Sequence, residues 1–218
     1  GLVGSEMCIR DRDVGVFKGI PGGSNDYAVN LFNAGAIYDF KNGHQTWINY
    51  SEGFDLPDPA KYYGKAGLSV KDNPLAGIKS RQVETGWRFA DVDWDAQAAV
   101  YYIWSDKVIT TDSATLTIDV VDKKSRDFGF EGALTRHFNN GWDAGGTFHL
   151  VRSEEEDADG DWMKRDARYA SLSKSTAFVG WHGEGRNVRL QGNHAFTLKD
   201  DSDHKISGYT TFDLMGSQ

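Results

Sequence analysis

The chain has 218 residues, with 24 Lys and Arg against 32 Asp and Glu, a net charge of −8, 25 glycines and a single cysteine. That length suits one all-β domain, and the acidic balance excludes the basic face of a nucleic-acid binder, so no nucleic acid is expected among its partners. No run approaches the roughly 18–20 apolar residues of a transmembrane helix, which leaves a strand-built membrane protein open because alternating strands give weak hydropathy signals.

In chain order, residues 1–12, GLVGSEMCIRDR, are unlike the rest of the chain and hold the cysteine, Cys8. They lack the continuous apolar core of a signal peptide and resemble translated adapter sequence. They are set apart as a non-native leader, and residues 13–218 are taken as an internal piece of a longer barrel domain. The far end agrees, since Gly208–Gln218 has the pattern of a strand that stops without a terminus signal. Without Cys8 the chain offers neither a disulfide framework nor thiol chemistry.

Period-two alternation predicts strands over 30–40, 45–51, 83–89, 94–104, 128–134, 142–150, 174–181, 187–197 and 206–217. In 94–104, Trp94, Ala96, Ala98, Val100, Tyr102 and Trp104 make one face, opposite Asp95, Gln97, Ala99, Tyr101 and Ile103. Short turns are expected at Lys41–His44, Ala90–Asp93, Phe138–Gly141 and His182–Arg186, and long polar excursions over roughly 52–80, 105–127 and 153–173. Hairpins with short turns at one end and long loops at the other describe an outer-membrane β-barrel. Phe40, Trp87, Phe89, Trp94, Phe138, Trp142 and Trp181 cluster beside the short turns, whereas Tyr50, Tyr102 and Trp104 lie toward the loops. Two aromatic girdles around a small-aliphatic band suit the two interfaces of a bilayer. A soluble β-sandwich binding module, with its large aromatics in a core, and a passive porin or adhesin-type barrel are the alternatives.

Several segments carry a resemblance to a known family. They are KGIPGGSNDY (18–27), WINYSEGFDLPDPAKYYG (47–64), IKSRQVETGWRF (78–89), AAVYYIWSDK (98–107), LTIDVVDKKSRDFGFEGAL (116–134), SKSTAFVGW (173–181) and GYTTFDLMGS (208–217). In order and spacing they resemble the siderophore branch of the TonB-dependent outer-membrane receptors, and LPDPAKYYG is particular to its aerobactin-like group. The resemblance implies an antiparallel transmembrane barrel of about 22 strands with a plugged lumen, of which some nine strands fall here and the plug does not. It implies import of a ferric siderophore across the outer membrane of a Gram-negative bacterium, with energy from the TonB complex acting through the missing N-terminal plug. Other citrate- or hydroxamate-based siderophores are the competing ligands.

A ferric citrate-hydroxamate ligand is anionic and rich in oxygen acceptors. Lys61, Tyr62 and Tyr63, in a loop stiffened by Pro57 and Pro59, supply charge, flat surface and hydroxyl donors for it. Trp162, Lys164 and Arg165, which come after the acidic run Glu154–Asp157, are the second candidate group. Internal charge pairing within that loop is the plainer reading of the same residues. The run Asp157–Asp161 lacks the later Glu of an EF-hand, since residue 168 is Arg168. The six histidines show no metal-ligand spacing. The iron would arrive inside its siderophore, so no cofactor of the protein's own is expected. Outer-membrane lipid and lipopolysaccharide are the surrounding partners, with loose divalent bridging to the latter as one form of contact. Glu84, Arg88, Glu131, His149 and Asp213 are expected to face the lumen. No nucleophile–base arrangement is present, and enzyme activity is not expected.

Overall fold

The computed structural model describes residues 2–14, 23–56, 76–111, 114 and 118–218. Alternating, β-branched and aromatic-rich segments satisfy their backbone groups in one antiparallel meander. It contains β1 (Leu2–Val14), β2 (Gly23–Asp39), β3 (His44–Asp55), β4 (Ile78–Ala90), β5 (Trp94–Thr111), β6 (Ile118–His137) and β7 (Trp142–Glu156), followed by β9 (Lys174–Gly183), β10 (Arg186–Ala195) and β13 (Tyr209–Ser217). A short strand β8 (Trp162–Lys164) folds back on β7, and β11 (Leu198–Lys199) pairs with β12 (Lys205–Ile206) as a separate hairpin. β1 and β13 are the two edges of the sheet, and no ladder joins them among the described residues. Residues 2–14, most of which the sequence sets apart as a leader, lie along β2 from Leu2 opposite Gly35 to Val14 opposite Gly23.

The short connections obey turn chemistry. Glu184 and Gly185 both have positive φ, 52° and 75°, the two-residue hairpin geometry whose twist matches paired strands. Between β4 and β5, Asp91 Oδ1 accepts the amides of Asp93 and Trp94 at 2.8 and 2.7 Å and closes the turn.

Two expectations are corrected. The excursion 105–127 is largely strand, because β5 continues to Thr111 and β6 begins at Ile118. The ladder slips between Ser105 and Lys107: Ser105 lies opposite Ser125 but Lys107 opposite Asp122, so Lys123 and Lys124 of β6 face the single residue Asp106 and the alternation inverts on β6. A period-two pattern read back along β6 from 134 therefore breaks at Lys123 and Lys124 although the strand does not. The strands expected over 187–197 and 206–217 are likewise interrupted. β10 stops at Ala195, and the β11–β12 hairpin intervenes before β13 starts at Tyr209.

Register sorts the side chains onto two faces. Val83, Thr85 and Trp87 lie opposite Tyr102, Val100 and Ala98; Val100 and Tyr102 lie opposite Phe130 and Phe128; Phe130 and Gly132 lie opposite Leu150 and Phe148. The series continues through Ala144 opposite Val179 and Leu190 opposite Leu214. This face is apolar and uncovered: Val100, Phe130, Leu134, Leu150, Leu190 and Leu214 are all exposed. Trp87, Trp94, Tyr102, Trp104, Trp142 and Trp181 stand on it as well, not in a core, which opposes the soluble-sandwich alternative. An apolar surface this extensive demands a nonaqueous neighbour. Trp94 and Trp104, ten residue steps apart on β5, bound it at about 33 Å along the strand, or about 25 Å along a membrane normal at a ~40° tilt. That is the height of a barrel's lipid-facing band.

Candidate ligand-contact surface

The opposite face is polar. It carries Glu84, Arg88, Gln97, Tyr101, Glu131, His149, Arg189 and Asp213, placed there by the same ladders. Trp47 lies flat over Gly86, where a Cβ would come within 2.3 Å of the indole. Its Nε1 donates to Glu84 Oε1 at 2.7 Å. Tyr101 covers Gly129 in the same way, and its hydroxyl meets His149 Nε2 at 2.6 Å. Glu131 stands 3.6 Å from that nitrogen. Glycine at both sites lets a strand pass beneath a large ring. Arg189 lays its guanidinium 3.6 Å above Phe178 and donates to Gln191 Oε1 at 3.1 Å. Gln191 in turn donates to Asn193, and Asn193 to Asp213. Toward the short turns this face opens into a concavity of about 960 Å³, lined by Asp39, Gln45, Arg88, Asp95, Gln97 and Thr135 among others. Such a wall offers hydrogen bonds to an oxygen-rich ligand or to a protein filling the lumen.

At the long-loop end, two loops distant in sequence are clamped by one carboxylate. Asp200, nearly buried, accepts the amides of Ser202 and His204 on Oδ1, each at 2.9 Å. On Oδ2 it accepts the amide of Ala167 at 3.0 Å and meets His204 Nδ1 at 3.1 Å. Neighbouring Asp201 accepts the Lys164 amide at 2.8 Å. Asp166, Asp200 and His204 present ligand atoms within 4.8 Å of one another. The Asp200 oxygens are already committed to N–H donors, and Asp166 is held by Arg168, so the arrangement is a loop clamp. The bond from the Ala167 amide first, then those from His204 and Ser202, hold the Asp200 carboxyl below its usual value. A depressed folded-state pKa contributes stability that is complete above the ordinary carboxyl range and is lost as pH falls through the folded value. We expect loops 157–173 and 196–208 to resist protease down to about pH 4 and to open below it. Asp200→Asn turns an NH₂ toward the Ala167 N–H and should expose both loops at every pH. Limited proteolysis of the full-length receptor across pH checks this, and an unchanged profile in the variant sinks it.

Of the residues singled out for ligand contact, Lys61, Tyr62 and Tyr63 lie outside the described residues. The other three are brought together on β8 and just beyond it. Trp162 and Lys164 pair with Glu156 and Glu154 in the ladder and so share the outward, apolar-side face of β7. Trp162 lies under the Arg126 guanidinium at 3.9 Å, and Lys164 Nζ is 3.6 Å from Asp201. Arg165 Nε is 4.0 Å from Glu155, which also pairs with Lys123 at 2.7 Å. The acidic run is thus neutralised chiefly from β6 and β7, Glu154 by Arg126 and Arg152, Glu155 by Lys123 and Glu156 by Lys124, while the basic stretch reaches it through Arg165 alone among the described residues. Asp157 caps its own turn by accepting the amides of Asp159 and Asp161, each at 2.9 Å. Sequence reasoning missed the Asp200 clamp and the Arg126–Glu154 pair. The Asp200–Asp201–Ser202–Asp203 turn signal was legible for the first, but its partner at Ala167 was not.

A meander that is polar on one face, apolar on the other and girdled by aromatics at both ends is the wall of a transmembrane β-barrel, the polar face turned to the lumen. A model of the β-barrel of TonB-dependent-receptor-like proteins matches residues 10–218, and the chain belongs to that family. It is 39% identical over 213 residues to the ferric aerobactin receptor of Klebsiella pneumoniae, covering 91% of this chain and 29% of that one. It is 38% identical over 210 residues to the rhizobactin receptor of Rhizobium meliloti, covering 90% and 28%. Among solved structures, the siderophore receptor PiuA from Acinetobacter baumannii superposes with a TM-score of 0.64 at 12% identity, covering 98% of this chain and 33% of that one. The chain therefore spans less than a third of the length of the curated relatives it matches.

Proposed function

We propose that the receptor to which this span belongs imports a ferric siderophore of the citrate-hydroxamate, aerobactin-like class across the outer membrane of a Gram-negative bacterium. The observation that carries this reading is the 39% identity to a ferric aerobactin receptor over nearly the whole span. A lumen wall dense in hydrogen-bonding groups supports it, because the ligand presents many oxygens and negative charge. The loops and the wall would capture the complex. Energised release would act through TonB on a plug that lies outside this chain. Iron arrives as cargo already coordinated by the siderophore, so the barrel wall performs no bond chemistry. For ligand contact the proposal rests on Lys61, Tyr62 and Tyr63, with Arg165. The outward placement of Trp162 and Lys164 gives those two a role in the loop's own packing. Residues 1–12 are proposed to be a non-native leader on the ground of their sequence, which is unlike the rest of the chain. A long sequencing read of the source DNA across the codons for Arg12 and Asp13 tests that.

Cells making the full-length receptor should take up labelled ferric aerobactin, and unlabelled aerobactin should compete while structurally unrelated ferric siderophores should not. Lys61→Ala combined with Tyr62→Ala should weaken uptake about ten-fold, the loss of one or two charge-assisted bonds. Uptake that persists when TonB is absent would make the protein a passive channel. Competition by an unrelated siderophore alone would overturn the ligand class.

A further inference from the structure

Where the outward face passes the loop-side aromatics, it changes from hydrocarbon to charge. Arg126 lies opposite Trp104 in the ladder and opposite Glu154 on its other side, and Arg152 lies opposite Phe128. All three charged side chains therefore stand on the face of Phe130 and Leu150, away from the lumen, at the depth of the interfacial tryptophan. Glu154 has a side chain only 5% exposed, yet it serves two cations. Its Oε2 takes Arg126 Nη2 at 2.6 Å and Nε at 2.7 Å, and its Oε1 takes Arg152 Nη2 at 2.6 Å. The Trp162 ring supports the Arg126 guanidinium from one side.

One carboxylate against two guanidiniums leaves a positive charge, and the carboxylate acts as a clamp that fixes the distance between them. No partner among the described residues is recorded for Arg152 Nε and Nη1 or for Arg126 Nη1. Arg152 is the more accessible, with its side chain 59% exposed, and its long stem lets the head rise from hydrocarbon toward headgroups. Planar paired donors on a weakly hydrated cation match the oxygens of a phosphate. We propose that Arg126 and Arg152, preset by Glu154 and Trp162, bind a headgroup phosphate of a phosphorylated glycolipid in the outer leaflet. This rests on the outer-membrane reading but not on which siderophore is carried. The occupant is a lipid because the site faces the bilayer side of the sheet at interfacial depth, where a ligand travelling through the lumen does not pass.

The test uses the full-length receptor purified in detergent, with bound lipid A counted by native mass spectrometry. Bisphosphorylated lipid A should bind, and the same lipid stripped of its phosphates should bind about ten-fold more weakly. Arg126→Gln with Arg152→Gln should cause a comparable loss and leave ferric-siderophore uptake unchanged. Arg152→Gln alone, at an exposed position, serves if the double variant misfolds, and should give an intermediate loss. Equal binding of the two lipids, or of parent and variants, overturns the site, as does displacement of the lipid by inorganic phosphate at equal concentration. Loss of siderophore uptake with lipid binding retained also overturns it, by moving the arginines into the transport path. If the parent carries no siderophore yet binds lipid A in an arginine-dependent way, the transport reading fails and this site stands.

Discussion

Placing an arginine at Val100 is expected to destabilise the folded barrel by about 2–4 kcal/mol, the measured range for a cation at the lipid-facing midplane. Val100 is six residues past Trp94 and four short of Trp104, near the middle of the apolar band, and it lies opposite Thr85 on one side and Phe130 on the other. Lipid offers no water to the guanidinium, and six residues from one girdle and four from the other is too far for full snorkelling. The matched control is Gln97→Arg. Gln97 lies on the other face, against Arg88 and Ala133 and beside the open concavity. There a new cation keeps its water, and the cost should stay within about 1 kcal/mol. Urea unfolding of the full-length receptor in lipid vesicles measures both. If the two substitutions cost the same, the assignment of faces is wrong.

The second large effect is expected at Gly141. Its φ is +83°, and an added Cβ would fall 2.3 Å from the carbonyl oxygen of His182, a backbone atom of the neighbouring strand. That strand cannot yield cheaply, because the His182 amide donates to Gly141 O at 2.9 Å across the same contact. Gly141→Ala should cost about 3 kcal/mol, with left-handed backbone strain and strand displacement acting together. Gly185 separates the two contributions. It has φ +75° but nothing within 4 Å of its would-be Cβ, so Gly185→Ala should cost only the strain, about 1–2 kcal/mol. Equal costs at the two glycines would show that the contact with His182 relaxes without penalty.

Most of the architecture was legible because it is written strand by strand. Trp94 through Trp104 alternate with Asp95 through Ile103 whatever the neighbouring strands do, and the ladders kept every one of those assignments. Glu84, Arg88, Glu131, His149 and Asp213 came to the lumen side for the same reason. The pattern failed at Lys123 and Lys124, where one extra residue on β6 inverts the alternation, and at Ala195, where the β11–β12 hairpin interrupts what looked like a continuous approach to the last strand. Trp162, Lys164 and Arg165 show the limit most clearly. As residue types they suit an anionic ligand. Their partners, Arg126, Asp201 and Glu155, lie 36, 37 and 10 positions away.

By itself, then, the sequence determined the strand content, the two faces, the girdles and the short turns, because side-chain period and turn chemistry are properties of consecutive residues. It also carried the family, since that resemblance is one of order and spacing. Only the tertiary structure decided which charges meet: Asp200 with the amide of Ala167, and Glu154 with both Arg126 and Arg152. Those encounters depend on register between strands and on the docking of one loop against another. In a sheet where side chains repeat every second residue, one bulge or one inserted hairpin changes which residues face one another without changing the character of any strand.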